Sequence, residues 1–376
     1  MEDIGNITLR LGIVTELFHP HVGGQEIRYF DFCEELKKQG HEVSIFTVRY
    51  SKGLPAKENL NKVSILRYAF SPRYVKDGSR DIVGVLNYAL QSGVRLSTMR
   101  QFDGIVFNQW PLFHVLFAEP LCNAATIVDW CEPWDLGLVN TLQKAVSHFP
   151  DGHIVVSEYI KLWLMKNCNI APARIEFIPS AVRTSLYKAN LEDKKPGKIV
   201  FIGRLAKHKR LDILIEAIKI ARKTCPSITL DIIGNGPLYG ALREEAKSYQ
   251  SFIKVHGFLE DNEKIQHLKQ AWALAMLSER EGFPRVVAEA LAAATPIITS
   301  DSSLNGTRHV VRSTKAGVIC SPTPTAVAEK ITALSDDEHL WKELSTNAST
   351  SASRFDLSNV TKRLVSFIRN LSGVAS

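Results

Sequence analysis

Short apolar runs alternate along the chain with longer stretches in which apolar residues recur three and four positions apart. The runs Leu9–Thr15, Glu42–Thr47, Val63–Arg67, Gly104–Phe107, Thr126–Asp129 and His153–Val156 are bounded by turn formers, and they predict strands buried on both faces. Gln25–Gln39, Ile82–Met99 and Phe113–Cys122 carry the helical period between them. The second half repeats the scheme. Its predicted strands are Ile199–Ile202, Thr229–Ile233, Ile253–Val255, Ala273–Leu277, Pro296–Thr299 and Gly317–Cys320, and its predicted helices are Leu211–Lys223, Leu238–Ser248, Glu263–Gln270, Arg285–Ala293 and Thr325–Leu334. Alternation of this kind predicts an α/β architecture with parallel sheets covered by helices.

Ser185–Gly197 is polar and lacks an apolar anchor, so it reads as a linker. At 376 residues the chain also exceeds the size of one ordinary core. The expected division is an N-terminal domain over residues 1–184, a C-terminal domain over 185–355, and a closing helix over 356–376. The closing helix is amphipathic, with Val360, Leu364, Phe367 and Ile368 on one side, and should cross back to the first domain.

Composition narrows the function without choosing it. A content of 45% hydrophobic and 23% charged residues is that of a globular chain. The net charge of +7 favours anionic partners, but the basic residues are dispersed and no run of five occurs, which argues against nucleic acid. The basic, partly apolar stretch from Tyr74 to Arg100 leaves peripheral contact with an anionic membrane open. Six cysteines without a C-x-x-C pair fit reduced thiols. The first apolar run, Leu9–Val14, is too short for a signal peptide or a membrane span, so a cytoplasmic location is expected.

The densest chemistry lies in Ser278–Leu291. A strand ending near Leu277 should lead through Glu281, Gly282, Phe283 and Pro284 into a helix carrying Val286 and Glu289. The amino end of such a helix is an anion site. Two glutamates eight positions apart, one in the loop and one a turn into the helix, suit the hydroxyls of a ribose and of a sugar ring. A second element, Gly203-Arg204-Leu205 through Lys209, sets two cations between a strand and a helix, where parallel sheets bind ligands. There they would neutralise a diphosphate. Gly236 lies in a close-approach loop, and Phe258 follows a strand at an expected base pocket.

Near the start, His21, Gly23 and Gly24 precede a helix, and the adjacent glycines let backbone approach a phosphate or sugar. The G-x-G-x-x-G fingerprint of nicotinamide and flavin enzymes is missing here. His19 and His21 have no third metal ligand at useful spacing, and no D-x-D pair ends an apolar strand, so no metal is expected. Trp110, Trp130, Trp134 and Phe113 are candidates for an apolar or sugar-stacking acceptor pocket.

Together these segments resemble glycosyltransferase family four, the retaining GT-B enzymes. The opening P-H-x-G-G-x-E pattern matches Pro20–Glu26, G-H-x-V matches Gly40–Val43, G-R-L-x-x-x-K matches Gly203–Lys209, G-x-G-P matches Gly234–Pro237, and E-G-F-x-x-x-x-x-E matches Glu281–Glu289. The resemblance implies two facing Rossmann-like domains with parallel sheets and a C-terminal helix returning to the N-terminal domain. It implies a nucleoside-diphosphate sugar as co-substrate, a hydroxyl acceptor on the first domain, and no cofactor or metal. Arg204 and Lys209 would bind the diphosphate, Glu281 and the backbone of Gly282, Phe283 and Pro284 the donor hexose, and Glu289 the ribose.

The sequence departs from the pattern in four places. Cys131, followed by Glu132, stands where many relatives carry a sugar-contacting His, and a thiol does not replace an imidazole. The hinge reads Pro179–Arg183, Ala294 replaces a glycine, and Leu304–His309 replaces an acidic turn. A nucleotide-sugar-binding protein without turnover is therefore the alternative reading.

Overall fold

The computed structural model describes residues 7–21, 23–72, 74–76, 79–97, 101–133 and 137–373. The chain divides into two compact units, Met1–Pro179 with Leu357–Ser376, and Ser180–Asp356.

The first unit holds an eight-stranded sheet. In chain order its strands are β1 (Arg10–Val14), β2 (Glu42–Val48), β3 (Lys57–Leu60), β4 (Val63–Tyr68), β5 (Gly104–Asn108), β6 (Ala125–Trp130), β7 (Gly152–Val155) and β8 (Ile175–Phe177). They lie in the spatial order β8-β7-β6-β5-β1-β2-β4-β3. All pairings are parallel except β3 with β4. The helices are α1 (Gly24–Lys38), α2 (Ile82–Ser97), α3 (Phe113–Ala118), α4 (Gly137–Val146) and α5 (Glu158–Asn167). β5 and β6 are buried at every position, as strands covered on both faces must be.

The second unit is built on a six-stranded parallel sheet. Its strands are β9 (Lys198–Ile202), β10 (Thr229–Ile233), β11 (Ile253–Gly257), β12 (Ala273–Met276), β13 (Ile297–Ser300) and β14 (Gly317–Cys320), in the order β11-β10-β9-β12-β13-β14. The helices are α6 (Leu211–Ala221), α7 (Tyr239–Ala246), α8 (Asp261–Gln270), α9 (Arg285–Ala292), α10 (Thr307–Thr314), α11 (Pro324–Asp336) and α12 (Glu338–Ser351).

The last helix, α13 (Leu357–Ser372), belongs to the first unit. Its apolar stripe buries Val360, Leu364, Phe367 and Ile368. Glycine at the start of β5 and β7 lets it sit close: a Cβ on Gly104 would meet Ile368 at 2.6 Å, and one on Gly152 would meet Leu371 at 2.5 Å. Gln39 at the end of α1 donates to Thr361 at 2.7 Å and holds the helix in register.

The first unit also buries a charged network. Arg28 of α1 forms an ion pair with Asp129 of β6 and donates to the Ile178 carbonyl at 2.7 Å, while the Tyr29 hydroxyl donates to the same carboxylate at 2.8 Å. α2 buries Val85, Tyr88, Ala89 and Leu96 but leaves Ile82, Val83, Leu86, Leu90 and Val94 exposed on its other side. No helix among the described residues is long and apolar enough to cross a membrane.

The expected linker at Ser185–Gly197 requires correction. This stretch lies inside the second unit, where Tyr187 and Lys194 are buried and tie it down despite its polar surface. The unit begins at Ser180, and Val182 bridges to Asp356 at its other end.

Lys194 is itself informative. Its ammonium donates to Thr295 Oγ1 at 2.6 Å and to the Leu268 carbonyl at 3.3 Å, and burial lowers its pKa from 10.5 to about 7. Between those two values the folded chain holds fewer protons at this site than the unfolded chain. This group's contribution to stability therefore rises as pH climbs from about 7 to 10.5, and the penalty of burying the cation is fully present below pH 7. Thermal midpoints between about pH 6 and pH 9 should climb less steeply for Lys194→Met than for the parent.

Candidate active site

At the carboxyl ends of β9 and β12 two loops face one another within the second unit. The first leaves β9 at Gly203, passes Arg204, and makes a short turn at Lys207–Lys209 before α6. Its neighbour after β10 packs on it backbone to backbone. Gly203 N–H donates to the Ile233 carbonyl at 3.0 Å, and Leu205 N–H to the Asn235 carbonyl at 2.9 Å. A Cβ on Gly236 would press to 2.5 Å from the Leu205 carbonyl oxygen, so that close approach requires glycine there.

The second loop carries Ser278–Pro284 from β12 into α9. Its Arg280–Glu281 segment pairs in parallel with Leu304–Asn305, and Gly306 N–H donates to the Glu281 carbonyl at 2.7 Å. Asn305, fully buried, donates to Thr299 Oγ1 at 3.0 Å and to Ser300 Oγ at 3.1 Å, and Ser300 Oγ donates to the Ser278 carbonyl at 3.2 Å. The segment that departs from the family pattern thus fixes the loop bearing Glu281. Sequence reasoning missed Asn305 and Gly306; an Asn-Gly pair between a strand and a helix was the available signal.

Lys209 and Glu281 close the arrangement. The Lys209 ammonium, largely buried, forms an ion pair with the Glu281 carboxylate. Arg210 reaches across to Glu279 at 2.9 Å, and Glu279 N–H donates to the His208 carbonyl at 2.8 Å, so the two loops are pinned together. Arg204 is exposed beside them. The His208 imidazole is held below its usual pKa, first by burial and then by the cations Lys209, Arg280 and Arg204, while Glu281 acts in the opposite sense. Those side chains therefore lie close enough to act on one imidazole.

α9 starts at Arg285 with Pro284 as its cap residue and no side-chain cap. The cap supplies no side-chain oxygen to the first turn, where Val287 N–H donates to the Pro284 carbonyl at 3.0 Å, and a helix start without a side-chain cap suits an anion. Gly282 and Pro284 are half-buried at this entrance. The Phe283 side chain is buried and stacks on Phe355 at 5.4 Å, so only its backbone is presented, and Val286 is likewise buried. Glu289 lies one turn further in, buried, accepting from Arg285 Nε at 3.2 Å and from Lys264 Nζ of α8 at 3.3 Å. Tyr187 also bonds to it; burial, then the Glu289 charge, pushes the phenol well above its usual range. Ala294 ends this segment at φ 54 where the family carries glycine, and Ser345 donates to its carbonyl at 2.7 Å. Phe258, after β11, is 74% exposed.

In the first unit a separate group forms at the carboxyl ends of β1, β5 and β6. Gly23 precedes α1 in extended conformation, and Glu26 folds back over it to bind His21 Nδ1 at 3.1 Å. Gly24 faces open space. The Gln109 side chain organises the loop after β6: its oxygen accepts from Cys131 N–H and Glu132 N–H at 3.0 Å each, and its amide donates to the Glu132 carbonyl at 2.6 Å. Burial, followed by the Asp129 charge, raises the Cys131 thiol well above its usual range, so it is neutral. Trp110 is half-buried and Phe113 is 37% exposed. Trp130 must be struck from the acceptor candidates, because it is fully buried and donates to His153 Nδ1 at 3.0 Å. Trp134 lies outside the described residues.

Comparison with known proteins identifies the family and the fold. The family described as Glycosyltransferase Family 4 matches residues 22–186, and Glycosyl transferases group 1 matches residues 182–351. The chain belongs to glycosyltransferase family four and has the GT-B fold. It is 29% identical over 220 residues to an exopolysaccharide phosphotransferase of Streptomyces coelicolor, a match covering 57% of this chain but only 22% of that protein. With a phosphatidyl-myo-inositol mannosyltransferase of Mycolicibacterium smegmatis the identity is 23% over 391 residues, covering 97% of this chain and 95% of the relative. Among solved structures, HepE of Anabaena in complex with UDP superposes with a TM-score of 0.75 at 16% identity, covering 96% of this chain and all of that one.

Proposed function

We propose that this glycosyltransferase moves a hexose from a UDP- or GDP-sugar to a hydroxyl acceptor with retention of anomeric configuration, in glycan, glycolipid or glycoside synthesis. The observation that carries the reading is the Lys209–Glu281 ion pair, set near Arg204 and Arg280 and beside the amino end of α9, which has no side-chain cap. Arg204, Lys209 and the first-turn N–H groups neutralise the diphosphate, so the transfer needs no metal ion there. Glu289, already held by Lys264 and Arg285, takes the ribose hydroxyls. UDP in the Anabaena structure and mannose in the name of the M. smegmatis relative support a nucleotide-linked hexose.

Glu281 is engaged by Lys209 and so is poorly placed to serve as a free base or nucleophile. In the proposed step the acceptor oxygen bonds to the anomeric carbon on the face from which the diphosphate departs. The carbon–oxygen bond to phosphate breaks, and the acceptor's proton passes to a phosphate oxygen. Glu281 accepts hydrogen bonds from the hexose hydroxyls and holds Lys209 in place. Glu281→Gln should accordingly retain nucleotide affinity while turnover falls by about one to three powers of ten. Steady-state kinetics beside calorimetry checks this, and unchanged turnover would remove Glu281 from the site.

The acceptor belongs to the first unit, with His21, Glu132, Trp110 and the neutral Cys131 thiol as its candidate contacts. An acceptor carried on a lipid would find an apolar landing face along α2. The same thiol favours a second reading, a nucleotide-sugar-binding protein without turnover, because it offers no imidazole to the donor. Donor hydrolysis with no transfer to lipid, sugar or aglycone acceptors would support that alternative. A thermal-shift panel of UDP-, GDP- and TDP-sugars would name the donor.

A further inference from the structure

Away from the diphosphate loops, the second unit gathers two imidazoles on one carboxylate. Asp231 sits in the middle of β10, beside Val200 of β9 and Lys254 of β11. His256 lies two residues beyond Lys254 on the edge strand, and α8 brings His267 to the same carboxylate. His256 Nε2 is 2.9 Å from one Asp231 oxygen, and His267 Nδ1 is 2.9 Å from the other. The three ligand atoms lie within 4.8 Å of one another.

We propose that Asp231, His256 and His267 bind a divalent transition-metal ion of the zinc class. Two imidazole nitrogens and a carboxylate oxygen are a donor set that zinc takes readily. Tetrahedral bonds of about 2.0–2.1 Å separate ligand atoms by about 3.4 Å, so each imidazole must back off the carboxylate by a few tenths of an ångström while ligand atoms spread over up to 4.8 Å draw together. The ion replaces the two N–H···O contacts. Each imidazole would bind through a ring nitrogen that carries no proton, with the other nitrogen as its N–H.

Lys198 Nζ, 3.1 Å from Asp231 Oδ2, competes with the ion for that oxygen and must turn to its second acceptor, Gln270 Oε1 at 3.2 Å, when the carboxylate takes the metal. The imidazoles are 24% and 21% exposed, which gives the ion an entry path and lets water complete the coordination. An ion here would fasten α8 to the edge of the sheet. One turn earlier that helix carries Lys264, which holds Glu289, so occupancy should stiffen the helix that supports the proposed ribose carboxylate.

The test uses the full chain, stripped with a chelator and then titrated with zinc alone. One equivalent should bind, raise the thermal midpoint, and compete with cobalt for a site showing the visible bands of a low-coordinate ion. His256→Gln and His267→Gln should each weaken zinc at least about tenfold, since losing even an outer partner of a ligand costs about 10–100-fold. Circular dichroism of the stripped variants verifies that they fold; His256 lies on the edge strand, so its variant remains a fair test if His267→Gln does not. His19→Gln with His21→Gln should leave zinc affinity unchanged. Failure of the parent to bind zinc, undiminished binding in both ligand variants, or loss of binding in the His19 and His21 double variant would each overturn the assignment.

Discussion

Changing Arg204→Ala together with Lys209→Ala should lower sugar transfer by about four powers of ten and abolish measurable binding of the nucleotide sugar. Each positioned donor facing charge that develops in a transition state contributes about two to three powers of ten, and paired effects add incompletely. Lys209 matters twice, because its loss also strips the Glu281 carboxylate, itself only 20% exposed, of its partner. Arg204 is exposed, and its single variant should chiefly lose nucleotide affinity. Kinetics and calorimetry on the single and double variants separate the two roles.

Asp129→Ala should destabilise the first unit by about 3–5 kcal/mol, the usual consequence of leaving a buried ion without its partner. Arg28 would keep the Ile178 carbonyl and the Phe32 ring face at 4.8 Å but no counter-charge there, and the Tyr29 hydroxyl would lose its acceptor in the same step. Because the network joins α1 to β6, the loops bearing His21 and Cys131 should loosen with it. Denaturant unfolding followed by fluorescence reads the loss. Removing both charges, Arg28→Met with Asp129→Leu, should recover much of it, because the isolated charge is the costly element.

How much of this was visible beforehand depends on where burial speaks for itself. Strands such as Gly104–Asn108 and Thr229–Ile233 are apolar runs whose surroundings admit only a covered parallel sheet, and their positions were legible. β3, with Lys57, Glu58 and Asn59, was not; as an antiparallel edge it needs no apolar pattern. α12 was hidden by its serines and threonines, although Trp341 within it stacks on Trp272 at 3.8 Å. Ser185–Gly197 misled because its anchors, Tyr187 and Lys194, are single buried residues in a polar stretch.

The candidate site shows the same division. Arg204, Lys209, Glu281 and Glu289 stand at loop and helix positions that their motifs indicate. Their supports come from far along the chain: Lys264 on Glu289, Asn305 and Gly306 behind Glu281, and Gln109 behind Cys131. Such partners are set by tertiary packing and leave no local pattern. Phe283 shows the converse, since a residue inside the motif turns its ring into the core and leaves its backbone at the site.

The most direct measurement is a crystal structure of the full chain soaked with UDP. Pyrophosphate oxygens should lie within hydrogen-bond reach of Lys209 and of the first-turn N–H groups of α9, with the ribose hydroxyls on Glu289. UDP bound elsewhere, with Lys209 paired only to Glu281 and Glu289 only to Lys264, Arg285 and Tyr187, would contradict that placement.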